Sequence, residues 1–267
     1  MATFKRCAIT LLIVSAMLCD AACAYGSLDV NRLSQQDIKT VENLLAKFAP
    51  LIKQRREKQN LATLTFDDLY ARLNKNDKKF LLSFQSLNAK KIGINLPYRG
   101  IADGNEEFVI IKGQRVDVNG KRVTLPPQFL TKKVYQSYVT MMDAMQKDIG
   151  KRLYAESCYR SSAYQLYLFL SYLKKHSYSI RETAKFVALP GYSEHGDPQH
   201  QAIDFINENG VNQDRPKEFE KLPEYQWLLA NAEKFGFVLS YPKNSKEGIT
   251  FEPWHWRYAE QDKKQAH

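Results

Sequence analysis

Apolar positions return at helical spacing early in the chain. Ser34-Gln-Gln-Asp37 opens a segment in which Ile38, Val41, Leu44, Leu45, Phe48 and Leu51–Ile52 fall every three to four residues. This predicts an amphipathic helix that begins at a hydroxyl cap. A second helical stretch follows Thr65, with Leu69, Leu73 and later Phe80 to Phe84. Then the texture changes. Glu107-Phe-Val-Ile-Ile-Lys-Gly and Arg115-Val-Asp-Val-Asn-Gly-Lys-Arg-Val are β-rich runs, and Asn119-Gly120 is a hairpin turn signal. This stretch holds no histidine, and packing is its default role.

The pattern grows denser after residue 130. Val134, Tyr135, Tyr138, Met141, Met142 and Met145 predict a helix over 134–149, with the methionines as core filler. Leu153 to Cys158 reads as a short strand, and Ser162 to Lys175 as a helix with Leu166, Phe169, Leu170 and Leu173 inward. A loop is expected from Leu189 to about His200, then a buried strand at Ala202-Ile-Asp-Phe-Ile. Tyr225 to Phe235 is expected to be a helix stopped by Gly236. Phe237-Val-Leu-Ser-Tyr and Ile249 to Tyr258 complete the strands, the last one broken by Pro253. Helices and strands interleave irregularly, which predicts an α+β fold.

The N-terminus changes the picture. Lys5 and Arg6 precede an apolar run from Cys7 to Cys19, and Asp20-Ala-Ala-Cys-Ala24 follows. A basic start, a short apolar run and a small-x-small end predict a secretory signal peptide over 1–24, with Tyr25 as the mature N-terminus. The run of 13 residues is short of the roughly 20 that span a bilayer. An uncleaved anchor is the alternative, and a lipid-modified Cys23 is disfavoured by Asp20. Cys7, Cys19 and Cys23 leave with the signal, so Cys158 remains alone and cannot form an internal disulfide or a cysteine-rich zinc site. The expectation for Cys158 is a small buried residue.

Composition narrows the class further. With 267 residues, 44% hydrophobic and 25% charged, the chain is no disordered tail, collagen-like fibre or disulfide-knotted miniprotein. Its length allows one or two domains. The net charge of +10 favours anionic partners. Signal removal takes away two positive charges and one negative, leaving +9. Export makes nucleic acid a poor partner for that charge, and no further stretch approaches membrane length.

The chemistry begins with five histidines. His267 is terminal, and His176 follows Lys174-Lys175 on a polar helix end, where a solvated role is expected. His195 and His200 lie in the loop that leads to Asp204, and His255 lies in Phe251-Glu252-Pro-Trp-His255-Trp-Arg-Tyr258. Catalytic zinc takes three ligands from His, Asp and Glu and keeps a position for water. His195, Asp204 and His255 can supply ligands, and Glu252 can supply a base. There is no H-E-x-x-H helix. In a straight strand Glu252 and His255 would point to opposite faces, so a shared centre needs a kink, and Pro253 offers one. The competing reading is an aromatic edge strand with a surface glutamate.

Four blocks, in this order, resemble the D-alanyl-D-alanine carboxypeptidase family of VanY type, zinc peptidases of the bacterial cell wall. They are Ser157-Cys-Tyr-Arg160-Ser, Pro190-Gly-Tyr-Ser-Glu-His195 with Ala202-Ile-Asp204, Trp227 to Phe237, and Phe251 to Tyr258. The likeness covers roughly residues 131–260. It implies a small α+β domain, an antiparallel sheet with flanking helices carrying a zinc site; residues 25–130 are not covered, and their own pattern predicts a mainly helical N-terminal region with a β-hairpin. Together with the signal and the N-terminal pattern read above, the expected organisation is a signal peptide (1–24), an N-terminal accessory region (25–130) and a zinc peptidase domain (131–267). By match to the motif, His195, Asp204 and His255 would bind Zn2+, and Glu252 would be the catalytic base. Arg160 would stabilise the oxyanion. Ser193 and Gln165 would contact the peptide.

Two departures from the family pattern stand out. The family's histidine and aspartate usually stand seven residues apart, whereas His195 and Asp204 stand nine apart. Either Gly196-Asp197-Pro198 bulges out, or His200 replaces a ligand. Cys158 stands where the family usually has a glycine or another small residue. The resemblance implies an exported enzyme, periplasmic or extracellular, that trims peptidoglycan stem peptides. Alternatives are an LD-carboxypeptidase, a peptidoglycan endopeptidase, or a non-catalytic module that binds the wall. Oligomeric state is not legible in the sequence.

Overall fold

The structure is a computed structural model that describes residues 28–259. The expected signal segment and His267 lie outside the described residues.

Helix α1 (Gln35–Glu57) starts as its sequence predicts: the Ser34 hydroxyl accepts from the Asp37 N–H, and Val41, Leu44, Phe48, Leu51 and Ile52 turn inward. The single helical stretch expected after Thr65 is two helices, α2 (Phe66–Tyr70) and α3 (Lys75–Gln85). Each opens with its own capping box, Thr65 with Asp68 and Asn74 with Asp77. The second box starts a new helix where hydrophobic spacing alone would continue the old one. Strands β1 (Phe108–Ile111), β2 (Arg115–Val118), β3 (Lys121–Thr124) and β4 (Gln128–Thr131) follow. Asn119 and Gly120 both sit at positive φ, 50° and 75°, and close the β2–β3 hairpin. Strands β1 and β4 pair antiparallel around it.

Helix α4 (Lys132–Ile149) leads into β5 (Leu153–Ser157), α5 (Ser162–Tyr172) and the short α6 (Ile180–Thr183). Then come β6 (Ala202–Asn207), α7 (Pro216–Phe219), α8 (Pro223–Asn231), β7 (Phe237–Leu239) and β8 (His255–Tyr258). The last four strands form one antiparallel sheet in the order β5-β6-β8-β7. All six residues of β6 are buried, as expected for a central strand. The final strand is shorter than the expected 249–258. Ile249 to Trp254 runs as irregular chain and a turn, and pairing begins only at His255. Pro253 has no N–H to give a ladder, so the strand cannot extend back through it.

Two large cores hold these elements among the described residues, with a smaller cluster of Ala102, Phe129 and Tyr159 beside them. One packs Met141, Met142 and Met145 of α4 against Phe205, Phe237 and Trp256 of the sheet, so the methionines are filler as expected. The other joins Phe48 of α1 and Phe80 and Phe84 of α3 to Leu166, Phe169 and Leu170 of α5. Phe84 and Phe169 meet edge to face at 6.3 Å. His176 is half-buried and stacks on Phe186 at 4.6 Å, where a solvated ring was the expectation.

Phe169→Ala removes a fully buried ring at this junction, and should cost about 3–5 kcal/mol. The urea midpoint checks it. A shift of a few tenths of a kcal/mol would show that α1 and α3 do not depend on α5.

Candidate metal centre

The β6–β8 register places Asp204 opposite His255. Directly opposed residues of an antiparallel pair share a face, so the two side chains meet without any loop having to carry them. His195 comes from a 3-10 turn, Glu194–Gly196, which Ser193 precedes. Its Nε2 lies 3.2 Å from Asp204 Oδ2, and His255 Nδ1 lies 2.8 Å from Asp204 Oδ1. One donor atom from each of the three lies within 4.8 Å of the others, and each residue is 4% exposed.

The far nitrogens of the two rings decide whether a cation fits. His195 Nδ1 lies 2.6 Å from the Cys158 carbonyl oxygen, which can only accept, so Nδ1 carries the hydrogen and Nε2 is left as a lone pair. His255 Nε2 donates in the same way to Glu194 Oε2 at 3.0 Å, leaving Nδ1. Both free nitrogens and the Asp204 carboxylate therefore face one point. Two neutral imidazoles and a carboxylate suit zinc.

The charges agree with this arrangement. Burial opposes ionisation of Asp204, yet the His195 and His255 rings outweigh it and hold the carboxyl far below its usual range. Burial pulls His195 down. Burial would also lower His255, but its bonds to Asp204 and Glu194 prevail and raise it to about 10.

Glu252 reaches the same point through the turn that precedes β8. The His255 N–H donates to the Glu252 carbonyl at 3.1 Å, closing a bend over Pro253-Trp254. The bend brings Glu252 Oε2 to 3.8 Å from His255 Nδ1. The kink that Pro253 offers in the sequence is thus a full turn. Burial pushes the Glu252 carboxyl up to about 7; His255 and Arg160 pull against this, and Asp204 adds to it.

Arg160 stands on the other side. It donates from Nη1 to Gln165 Oε1 at 2.9 Å and from Nη2 to Ser157 Oγ at 3.2 Å, and Nη2 lies 4.0 Å from Asp204 Oδ2. Gln165 donates in turn to the Ala188 carbonyl at 2.7 Å, so its amide braces Arg160. Ser193, Gln165, Arg160 and Glu252 all line one cleft of about 990 Å³ that contains the three donors. His200 is elsewhere: its Nδ1 meets Asp197 Oδ2 at 3.2 Å, and the triad contains His195 instead. The Cys158 thiol is fully buried, and burial pushes it well above its ordinary range. A thiol held protonated is a poor nucleophile.

Sequence reading missed the support for His255. Glu194 is 3% exposed, and its Oε1 accepts from Arg99 at 2.6 Å and lies 3.2 Å from Arg257 Nε. Its Oε2 accepts from Ser240 as well as from His255. Burial raises the Glu194 carboxyl, but His255 and Arg99 outweigh it and keep it ionised. Arg99 also bonds Asp197 at 3.0 Å, which pins the longer His195–Asp204 loop so that its extra residues lie outside the triad. Glu194 was visible as the neighbour of His195. Arg99 carried no signal, being 95 residues before its partner in a stretch without recognisable chemistry.

The profile of VanY, D-alanyl-D-alanine carboxypeptidase, matches residues 127–261. The chain belongs to this family. YodJ of Bacillus subtilis (strain 168) is 35% identical over 134 residues, which make up 49% of this chain and 46% of YodJ. A D-alanyl-D-alanine carboxypeptidase of Enterococcus faecium is 29% identical over 147 residues, 53% of this chain and 41% of that one. The chain thus spans less than half the length of these relatives. Among solved structures, the LdcB LD-carboxypeptidase aligns with 27% identity and a TM-score of 0.47, covering 64% of this chain and 78% of LdcB. A VanY D,D-pentapeptidase in complex with Zn(II) aligns with 22% identity and a TM-score of 0.43, covering 62% and 86%. The donor set of His195, Asp204 and His255 is one that a zinc ion takes.

Arg99→Ala leaves Glu194 without its closest cation. Zinc affinity, read by chelator competition, should fall about 10–100-fold with the fold retained by circular dichroism. Unchanged affinity would mean that His255 is oriented without Arg99.

Proposed function

We propose that the chain is an exported zinc-dependent D-alanyl-D-alanine carboxypeptidase that trims peptidoglycan stem peptides. One observation carries this reading: the convergence of His195, Asp204 and His255 on one point, with the Glu252 carboxylate 3.8 Å from His255 Nδ1. His195 Nε2, an Asp204 oxygen and His255 Nδ1 would hold the metal. A zinc ion so held polarises a carbonyl and brings the pKa of its water near 7.

The remaining roles belong to the chain. Burial pushes the Glu252 carboxyl up to about 7, so it can take a proton from the attacking water and return it to the leaving amine. Its carboxylate is half-buried in the cleft that Asp204 and Arg160 also line. Arg160, braced by Gln165 and Ser157, presents a fixed cation to the oxygen that gains charge. Ser193 and Gln165 line the peptide path. Export rests on the basic, apolar and small-residue order of residues 1–24, and a mature charge of +9 suits an anionic wall polymer.

Defined muropeptides with mass analysis of products test the cut. Release of D-Ala from a pentapeptide is expected; release only from a tetrapeptide, internal cleavage alone, or binding without turnover would each replace this reading. Glu252→Gln should lower kcat by about 10²–10⁴-fold while zinc stays bound. His255→Ala should lose the zinc, as metal analysis would show. Because Glu252 must be ionised to accept a proton, kcat/KM should rise with pH and level off near or below 7, where a bound cation draws the carboxyl down. A flat profile from pH 5 to 8 would show that burial does not hold the Glu252 carboxyl near 7 in the loaded enzyme.

A further inference from the structure

The cleft contains a carboxylate that the chemistry above leaves unused. Strand β5 pairs Ala155 with Phe205 and Ser157 with Asp204, so two steps along β5 match one along β6 and Glu156 is the extra residue. A bulge of this kind re-aims a side chain. Its outer edge is braced by two glutamines. Gln114 accepts the Ala155 N–H at 2.9 Å and donates to the Ala155 carbonyl at 2.8 Å, and Gln128 accepts the Cys158 N–H at 3.0 Å. At the bulge Glu156 lines the same cleft as His195, Asp204 and His255.

The two oxygens of Glu156 differ. Oε1 accepts from Asn212 Nδ2 at 2.5 Å. Oε2 is buried and has no hydrogen-bond partner. A carboxylate oxygen buried without a donor is costly, so its complement has to come from a ligand. Asn212 Oδ1 in turn accepts the Asp214 N–H at 3.1 Å, which holds the turn bearing Asp214 next to Glu156. Burial pushes the Glu156 carboxyl up to about 7; Asn212 pulls against this, and Asp204 and Asp214 add to it. The charges that bear on Glu156 are thus negative, and among the described residues no lysine, arginine or histidine pairs with it. The missing partner is a donor, and the local field favours one that carries positive charge.

We propose that Glu156 is a specificity-determining residue that receives a substrate ammonium, the side-chain amine of the diamino acid preceding the terminal D-alanines of a stem peptide. The identity of the chain rests on the carboxypeptidase reading. The position agrees with it. Ser157 faces Asp204, so Glu156 is anchored one residue from the strand position that opposes a metal donor. With the carbonyl of the penultimate residue at the metal centre, the diamino acid is the next residue along, about 3.4 Å further in an extended chain. Its long, flexible stem ends in a compact cation with three donors, which suits a single carboxylate oxygen. Acylation of that amine, as at a cross-link, removes the charge, so Glu156 directs the enzyme to stems that carry the amine free.

The test uses the zinc-loaded full chain and two stem pentapeptides with lysine in third place, one with its Nε amine free and one with it acetylated. At pH 8 a carboxyl held at about 7 is ionised and the lysine amine is protonated. D-Ala release is measured for both, and binding of the two corresponding tetrapeptides is measured by calorimetry. The native chain should favour the free amine by about tenfold in kcat/KM and in Kd. Glu156→Gln keeps an oxygen for Asn212 and removes the charge, and it should bring both ratios to about one, with the fold checked by circular dichroism. Equal handling of the two peptides by the native chain, or a preference for the acetylated one, overturns the role of Glu156 while D-Ala release still supports the carboxypeptidase. A ratio that survives in Glu156→Gln does the same, because acetyl bulk or another group then sets the preference. If neither pentapeptide is cut but the binding ratio appears and collapses as described, the role of Glu156 stands and the carboxypeptidase reading falls. If there is neither cleavage nor a binding preference, both fall.

Discussion

The buried Glu194 carboxylate constrains everything around it. A charge this deep is costly unless it is paired and hydrogen-bonded on every side. Arg99, Arg257 and Ser240 supply that compensation, and the remaining direction is taken by His255 Nε2. By claiming the hydrogen on Nε2, Glu194 leaves Nδ1 as the lone pair that faces Asp204 and His195. The ring cannot rotate or change tautomer without leaving an ionised carboxylate short of a donor. The candidate metal centre is therefore set from outside, by a carboxylate that is not one of its three donors.

Strand pairing supplies the rest of the precision. Asp204 and His255 face each other because β6 and β8 are neighbours in register, and a slip by one residue would turn both away. β6 is buried along its whole length, so such a slip would also expose its apolar side chains. Cys158, just beyond β5, holds His195 through its carbonyl. Three consecutive parts of the antiparallel sheet thus each fix one donor.

The N-terminal region does more than cover this sheet. Its backbone bonds the segment around Arg160 directly: Ser161 N–H donates to Ala62, Ser162 N–H to Ala102, and the Ser161 hydroxyl to Leu64. These bonds anchor the start of α5, the helix that carries Gln165 and one wall of the cleft. The same region sends Arg99 to Glu194 and packs α1 and α3 on the back of α5.

Much of the fold was legible in the chain because it is encoded locally. Hydrophobic spacing marked α1, α4 and α5, Asn119-Gly120 marked the hairpin, and Gly236 marked the end of the helical stretch before β7. The segments bearing His195, Asp204, Glu252 and His255 were readable as motifs. The break between α2 and α3 and the loss of strand before Pro253 show where spacing alone overextends: caps and missing donors act over three or four residues and override the apolar rhythm. Residue identity and periodicity along the sequence thus determined the elements and the candidate donors. Only the tertiary structure decided which histidine joins Asp204, how Glu252 turns back onto His255, and that Arg99 stabilises Glu194. Those outcomes depend on strand register and on the cost of burying charge, both set by contacts between residues far apart in sequence.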